Sequence, residues 1–251
     1  MKIVVVGGTG LIGSKVVEKL RDQQHEAVAA SPESGVNTLT GAGLADVLDA
    51  ASVVVDVSNS PSFADDAVLE FFRTSTSNLL RAERDAGVAH HVALSVVGTQ
   101  RLAESGYFRA KIAQEELIAA SAIPFTIVHA TQFFEFIDKI ALAATEGDVV
   151  RVAPVMIQPM AADDVAGAVA EAAVGDPVGG IIEVAGPEPF RLDELIRQTL
   201  EARHDPRRVV SEHDAPYFGA HLTEQMLLPA ADAQLGRHHY AAWLAQSLVG
   251  R

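Results

Sequence analysis

Three residues in the middle of the chain have the types and spacing that a hydride-transfer reaction can use. Ser95 is followed twelve residues later by Tyr107 and four residues after that by Lys111, in the stretch ALSVVGTQRLAESGYFRAKIAQEEL. Reduction of a carbonyl by hydride needs a proton donor, and a free tyrosine, with a pKa of about 10, donates poorly unless a cation lies nearby. We expect Lys111 to supply that cation, and Ser95 to orient the substrate oxygen by a hydrogen bond. The spacing predicts a catalytic set.

The elements that would position this set follow a regular alternation. A β-branched run at Lys2–Val6 predicts a buried strand, and apolar residues at helical spacing follow over Leu11–Gln24. The alternation continues to a fifth strand at Pro124–His129, with Ser95 at the end of the fourth strand. This pattern predicts an α/β fold with a doubly wound parallel sheet. Outside such a fold, a tyrosine and a lysine four residues apart are ordinary features of a helix.

The regular alternation of strands and helices ends at about residue 131. A helix is expected at Phe133–Ala144. No linker rich in Pro, Gly or Ser separates the two parts. We therefore expect residues 1–251 to form a single domain, with residues 131–251 contributing a small C-terminal substrate lobe. An apolar pocket for a ring-bearing ketone or quinone could be lined by Phe133, Phe134, Met156 and Tyr217. Aromatic residues at helical spacing are more often core residues, and this alternative stays open.

A glycine turn joins the first strand to the first helix. The stretch VVVGGTGLIGSKVV places Gly7, Gly10 and Gly13 three residues apart. The first glycine permits a sharp turn, the second lets a diphosphate approach the backbone, and the third lets the helix pack on the sheet. The helix N-terminus would offer N–H groups to the phosphates. We predict dinucleotide binding by Gly7, Thr9, Gly10, Leu11, Ile12 and Gly13.

The rest of the cofactor site is expected at the ends of later strands. The second strand lacks the acidic residue that usually holds the ribose of NAD, and Ser31, Ser34 and the backbone around Gly35 could form a small anion nest for a 2′-phosphate. This favours NADP(H) over NAD(H), although a plain surface turn is the alternative. Further cofactor contacts are predicted for Val57, Ser58, Asn59, Lys111 and Ala130.

The motifs GGTGLIG and SNLLRAERDAGVAHHVALS, with the Tyr107–Lys111 pair, resemble the short-chain dehydrogenase/reductase superfamily, and most closely its atypical NmrA-like branch. The resemblance covers about residues 1–136. It implies a Rossmann-type fold, a nicotinamide dinucleotide, and Ser95, Tyr107 and Lys111 as catalytic residues. Two positions depart from relatives: Phe72 replaces an asparagine that supports a water relay, and His129-Ala130 replaces an Arg-Pro-like turn that borders the nicotinamide.

The resulting expectation is an NAD(P)H-dependent enzyme that reduces a small carbonyl substrate, a ketone or quinone, with Tyr107 as proton donor. One alternative is a non-catalytic NAD(P)-sensing regulatory protein of the NmrA-like type. Another is direct hydride transfer to a quinone, which would not need Tyr107.

Composition narrows the remaining classes of partner. The net charge of −14 argues against nucleic-acid binding, and the apolar stretches are too short to span a membrane. With no cysteine, the chain has no disulfide framework, and we expect a cytoplasmic protein. The histidine pairs lack the spacing of a metal site, so no metal is predicted. Assembly into a homo-oligomer is compatible with the sequence.

Overall fold

The computed structural model describes residues 1–249. Its helices are α1 Leu11–Asp22, α2 Leu44–Leu48, α3 Asp65–Ala86, α4 Gly106–Ala119, α5 Ile137–Ala143, α6 Ala162–Val174, α7 Leu192–Ala202 and α8 Tyr240–Val249. Its strands are β1 Lys2–Val6, β2 Glu26–Ala30, β3 Val53–Asp56, β4 His90–Val96, β5 Phe125–Ala130, β6 Thr145–Glu146, β7 Val149–Val152, β8 Met156–Ile157, β9 Gly180–Ala185, β10 Phe190–Arg191, β11 Arg208–Ser211 and β12 Gln234–Leu235. None of these helices combines the length and hydropathy needed to cross a bilayer.

The central sheet has seven parallel strands in the order β12-β9-β5-β4-β3-β1-β2, which confirms the predicted Rossmann-type α/β class. The register aligns the strand ends, because Val6 pairs with Asp56 and Asp56 pairs with Ala93. The chain therefore leaves β1, β3 and β4 at the same edge of the sheet. In an open α/β sheet, this carboxyl edge is where ligands bind.

Two apolar clusters fix α4, the helix that carries Tyr107 and Lys111. The cluster between α3 and α4 contains Val68, Phe72 and Ala110, and the cluster between α4 and the sheet contains Ala93, Ile118 and Ile127. Each of these side chains is almost fully removed from water. Their burial, worth roughly 1.5–3 kcal/mol for each large aliphatic or aromatic side chain, holds α4 in one orientation.

The helix expected at Phe133–Ala144 begins later than predicted. A short 3-10 turn at Phe134–Phe136 precedes α5, which starts at Ile137. The reason is a backbone pairing: Phe134 N–H donates to the Met160 carbonyl at 2.8 Å, and Phe133 forms a β-bridge with Met160. These bonds keep the chain extended where helical periodicity alone predicted a helix.

By backbone contacts, the chain divides into two units. The first comprises residues 1–95, 106–129 and 165–182, and the second comprises residues 96–105, 130–164 and 183–251. Each unit takes segments from both sides of residue 131. The arrangement of residues 1–251 as one domain with a lobe after residue 131 stays a prediction.

Candidate active site

The glycine turn between β1 and α1 has the geometry of a phosphate cradle. Gly7 has a φ of +77°, and a Cβ there would lie 2.9 Å from the Ser58 backbone. A Cβ at Gly13 would collide with the Gly7 carbonyl oxygen, whereas a Cβ at Gly10 would meet only that oxygen, at 3.3 Å. Gly7 therefore makes the turn, Gly13 lets α1 approach it, and Gly10 leaves room for a ligand. This is the division of roles that the sequence predicts.

The start of α1 faces this cradle with free donors. The helix has no side-chain cap and no acidic residue in its first turn, so its first N–H groups and the positive end of its dipole are available to an anion. Thr9, Gly10 and Leu11 are exposed, whereas the Ile12 side chain is buried. The contribution of Ile12 to a phosphate site is thus limited to its backbone.

The turn after β2 differs from the anion nest that the sequence suggests. The N–H groups of Ser34 and Val36 donate to the Ser31 carbonyl, and that of Gly35 donates to the Pro32 carbonyl. The Ser34 hydroxyl is also used inside the turn, where it donates to the Ser31 carbonyl and accepts from Ser31 N–H, both at 2.9 Å. The prediction of an anion nest is wrong, because the N–H groups of this turn already donate to oxygen atoms within the turn. The Ser31 side chain faces the Ser34 N–H in a capping box and is buried.

The end of β3 contributes a buried carboxylate that the sequence prediction passed over. Asp56 Oδ1 accepts hydrogen bonds from the Ser58 N–H at 2.9 Å and the Ser58 hydroxyl at 2.6 Å, and Asp56 Oδ2 accepts from Gln114 Nε2 at 3.0 Å. Asn59 Oδ1 accepts from Ser60 N–H at 2.9 Å. Ser58 is therefore held by Asp56 beside the glycine turn. The signal in the sequence was an aspartate inside the apolar run SVVVDV.

Tyr107 is half-buried in an aromatic environment. Its ring lies 5.7 Å from the exposed ring of Phe63, 6.3 Å from that of Phe72 and 5.6 Å from that of Phe108, measured between centroids. Burial raises the pKa of Tyr107 to about 12. The expectation that Lys111 lowers the pKa of Tyr107 is therefore wrong. The phenol stays protonated at neutral pH, which suits a proton donor and not a base.

The ammonium of Lys111 is engaged elsewhere. It donates to the Leu94 carbonyl at 2.9 Å and to Gln114 Oε1, and it lies 4.5 Å from the centroid of the Phe72 ring. Burial lowers the pKa of Lys111 to about 8, although the charges of Asp56 and Glu115 oppose that shift. Lys111 thus belongs to a chain of hydrogen bonds that runs through Gln114 to Asp56. An ammonium has three donors, so one more bond to a ligand is chemically available.

Ser95 lies at the end of β4, as predicted, but its hydroxyl has a partner within the protein. Ser95 Oγ donates to Glu115 Oε1, and the same oxygen lies 2.9 Å from His129 Nε2. Burial opposes ionisation of Glu115, but the hydrogen bond and charge of His129, the Ser95 hydroxyl and the charge of Lys111 outweigh it, so the pKa of Glu115 lies below its usual value. The sequence prediction missed Glu115, although it stands four residues after Lys111 and shares its helix face.

The residues predicted to line the substrate pocket lie in the second unit, and their surroundings differ from one residue to the next. Phe134 is 2% exposed, and its ring packs on those of Tyr240 and Trp243 at 5.0 and 5.4 Å. Phe134 is therefore a core residue, which is the alternative that the sequence left open. Phe133 packs on Phe136 at 5.7 Å, and the half-buried Met156 pairs with Arg191 between β8 and β10.

Tyr217, predicted for the substrate pocket, and Ala130, predicted as a cofactor contact, also lie in the second unit. Ala130 is buried at the end of β5, where its carbonyl accepts a hydrogen bond from Val97 N–H at 2.9 Å. Tyr217 borders an apolar cavity of about 220 Å³ within the second unit. The cavity is lined by Ile140, Ala143, Ala144, Val152, Ala153, Leu192, Ala215, Pro216, Tyr217, Phe218, Gly219 and Leu222.

No protein-family model matches the chain, and no curated protein matches its sequence. Solved structures do match its fold. MoeE5 in complex with UDP-glucuronic acid and NAD is 19% identical, with a TM-score of 0.76 over 100% of both chains. The NADPH-dependent quinone oxidoreductase QOR2 of Escherichia coli, complexed with NADPH, is 19% identical, with a TM-score of 0.70 over 98% of this chain and 99% of its own. UDP-glucose 4-epimerase of Thermus thermophilus, in complex with NAD, is 17% identical, with a TM-score of 0.69 over 98% and 93%.

These neighbours are Rossmann-fold enzymes whose structures contain NAD or NADPH. At such identities, the likeness establishes the fold that the chain shares with them. Membership of a particular superfamily or branch remains a prediction from the sequence motifs.

Proposed function

We propose that this protein is an NAD(P)H-dependent oxidoreductase of the short-chain dehydrogenase/reductase type that reduces a small carbonyl substrate, a ketone or quinone. The observation that carries the proposal is the glycine cradle of Gly7, Gly10 and Gly13, which lies at the same sheet edge as Ser95. The resemblance to NmrA-like oxidoreductases and the nicotinamide cofactors of the structural neighbours support it. When bound, the cofactor would supply the hydride.

Residues of the chain would bind the cofactor and supply the proton. The first turn of α1 holds the diphosphate, and Lys111 has one donor left for a ribose hydroxyl. Tyr107 donates its phenolic proton to the carbonyl oxygen as charge develops there. A pKa of about 12 does not prevent this transfer, because a developing alkoxide is more basic than a phenolate. The rings of Phe63, Phe72 and Phe108 pack around that of Tyr107 and hold its orientation.

The test is Tyr107→Phe, which keeps the ring and removes one hydroxyl. We expect folding and cofactor affinity to survive and the rate of carbonyl reduction to fall roughly 10²–10⁴-fold, the range for loss of a general acid. A panel of ketones and quinones with NADPH provides the assay. Quinone reduction by the variant at the wild-type rate would instead favour direct hydride transfer.

A non-catalytic NAD(P) sensor is the second candidate. It is favoured by the hydrogen bonds of Lys111 to Leu94 and Gln114, which tie the lysine into the protein interior. A sensor would bind the cofactor but turn over no member of the panel.

Within this proposal, NADP(H) is the preferred cofactor. The second strand ends without the acidic residue that usually holds the ribose of NAD. Titration of NADPH and NADH by calorimetry tests the preference. A tenfold preference for NADH, about 1.4 kcal/mol, would contradict it.

A further inference from the structure

Within the first unit, a chain of hydrogen bonds connects the glycine cradle to Lys111. Asp56 Oδ1 accepts from the N–H and the hydroxyl of Ser58, at 2.9 and 2.6 Å, and the Ser58 backbone lies against Gly7. Asp56 Oδ2 accepts from Gln114 Nε2 at 3.0 Å, and Gln114 Oε1 accepts from the Lys111 ammonium. The Asp56 carboxylate therefore contacts the support of the cradle with one oxygen and the support of Lys111 with the other.

The direction of each hydrogen bond in this chain is fixed by the groups at its two ends. An ammonium can only donate and a carboxylate can only accept, so a single orientation of the Gln114 amide satisfies both neighbours. Its nitrogen must face Asp56, and its oxygen must face Lys111. The three side chains are each at most 2% exposed, so water does not replace a bond that is lost.

The amide oxygen of Gln114 determines how the Lys111 ammonium is held. One ammonium hydrogen goes to the Leu94 carbonyl at 2.9 Å and a second goes to Gln114, which leaves the third for a ligand. A reversed amide would instead place its NH2 group against the ammonium. The direction of the remaining donor thus depends on the orientation that Asp56 imposes on Gln114.

The charge of Lys111 also depends on this environment. Burial lowers the pKa of Lys111 to about 8, whereas the charges of Asp56 on β3 and Glu115 on α4 oppose that shift. The neighbours of the ammonium on α3 and β4 are the Phe72 ring and the Leu94 carbonyl, which carry no charge. Asp56 is therefore the charged group from a neighbouring strand that favours the ammonium.

We propose that Asp56 is a positioning residue that, through the Gln114 amide, holds the Lys111 ammonium ready to bind the nicotinamide dinucleotide. Through Ser58, the same carboxylate supports the glycine cradle. The inference rests on the proposed function, which gives Lys111 its contact with the cofactor, and adds Asp56 and Gln114 to the residues that cofactor binding requires.

Asp56→Asn tests this role because it keeps the size of the side chain and turns one acceptor into a donor. If the new amide oxygen accepts from Ser58, its NH2 group faces Gln114, whose own amide must then turn its nitrogen toward Lys111. In the other orientation, the NH2 group faces the Ser58 N–H. Because both orientations place buried donors against each other, we expect the pKa of Lys111 to fall and the NADPH affinity at neutral pH to drop roughly tenfold.

Combining Asp56→Asn with Gln114→Glu reverses the polarity of the link and keeps the net charge of the wild type. The amide at position 56 then accepts from Ser58 and donates to the carboxylate at position 114, whose second oxygen accepts from Lys111. We expect the pKa of Lys111 to return at least to its wild-type value and the NADPH affinity to recover to within threefold. Gln114→Glu alone places two carboxylates in contact and should also weaken NADPH binding.

Two measurements follow these variants. NMR of protein labelled with 15N-lysine gives the pKa of Lys111, with Lys111→Met to assign its signal, and calorimetry gives the NADPH affinity. Asp66→Asn makes the same charge change at an exposed position and should leave both values unchanged. If Asp56→Asn fails to fold, Gln114→Met provides the test, because it removes the amide, keeps Asp56 bound to Ser58 and should still lower the pKa of Lys111.

The inference and the proposed function fail in different ways. An unchanged pKa of Lys111 in Asp56→Asn, or in Gln114→Met in its place, overturns the role of Asp56 and leaves the proposed function standing. Losses of affinity that simply add in the double variant have the same meaning. A wild type that binds no dinucleotide refutes the proposed function. The pKa of Lys111 then still decides the link to Asp56: its recovery in the double variant supports the link, and no recovery overturns it.

Discussion

Glu83 and His91 form a fully buried pair between α3 and β4, and Glu83→Gln tests how much the first unit depends on it. His91 Nδ1 lies 2.9 Å and 3.0 Å from the two carboxylate oxygens of Glu83, and neither side chain is exposed. Burial alone would lower the pKa of His91, but the charge and hydrogen bond of Glu83 and the charge of Asp56 raise it above its usual value. The contact with Glu83 therefore favours the charged form of His91.

Removal of one partner from a buried ion pair costs about 3–5 kcal/mol, because the other charge stays buried without compensation. Glutamine keeps an acceptor for His91, so we expect the lower end, about 3 kcal/mol. For a chain of 150–250 residues, each kcal/mol lowers the melting temperature by roughly 2–4 °C, so the expected loss is roughly 6–12 °C. Thermal unfolding followed by circular dichroism measures it.

The pH dependence gives a second readout with a defined sign. The folded-state pKa of His91 is raised, so its stabilising effect is complete below the unfolded pKa of about 6.5 and is lost as pH rises through the folded value. The difference in melting temperature between wild type and Glu83→Gln should therefore decrease as the pH rises above 6.5. Glu70→Gln, at an exposed position on the same helix, is the control. Equal melting temperatures for wild type and Glu83→Gln, or a gap independent of pH, would refute this reasoning.

Three other changes have expected outcomes. Gly13→Ala should lower cofactor affinity at least tenfold in a calorimetric titration, because the added Cβ collides with the Gly7 carbonyl and displaces the cradle; wild-type affinity would contradict the assigned role. Cofactor affinity should fall as pH rises through about 8, where Lys111 loses its ammonium proton, and Lys111→Met should remove that pH dependence; an unchanged profile would separate Lys111 from the cofactor. Phe134→Ala should reduce stability by about 3–5 kcal/mol in urea titrations, because the ring is buried against Tyr240; a raised KM with unchanged stability would restore Phe134 to the substrate site.

Local sequence determined much of the fold. The run Lys2–Val6 forms β1 as predicted, because a continuous β-branched segment fits a strand covered on both faces. The long helix α3 ends before Gly87, which has a φ of +72° as a left-handed helix cap requires. The glycine turn could also be predicted from the sequence, because only glycine fits at Gly7 and Gly13. In each case, the signal lies within a few neighbouring residues.

The candidate site was decided by tertiary structure. Spacing placed Tyr107 and Lys111 on one helix but did not show that the ammonium bonds to the Leu94 carbonyl and to Gln114. The contact of Ser95 with Glu115 joins two elements, and it exists because α4 packs against β4. Hydrogen-bond direction and pKa depend on which groups packing brings within about 3 Å and on how far burial removes water. The sequence alone therefore determined which residues could do chemistry, and packing determined which protons and lone pairs they offer.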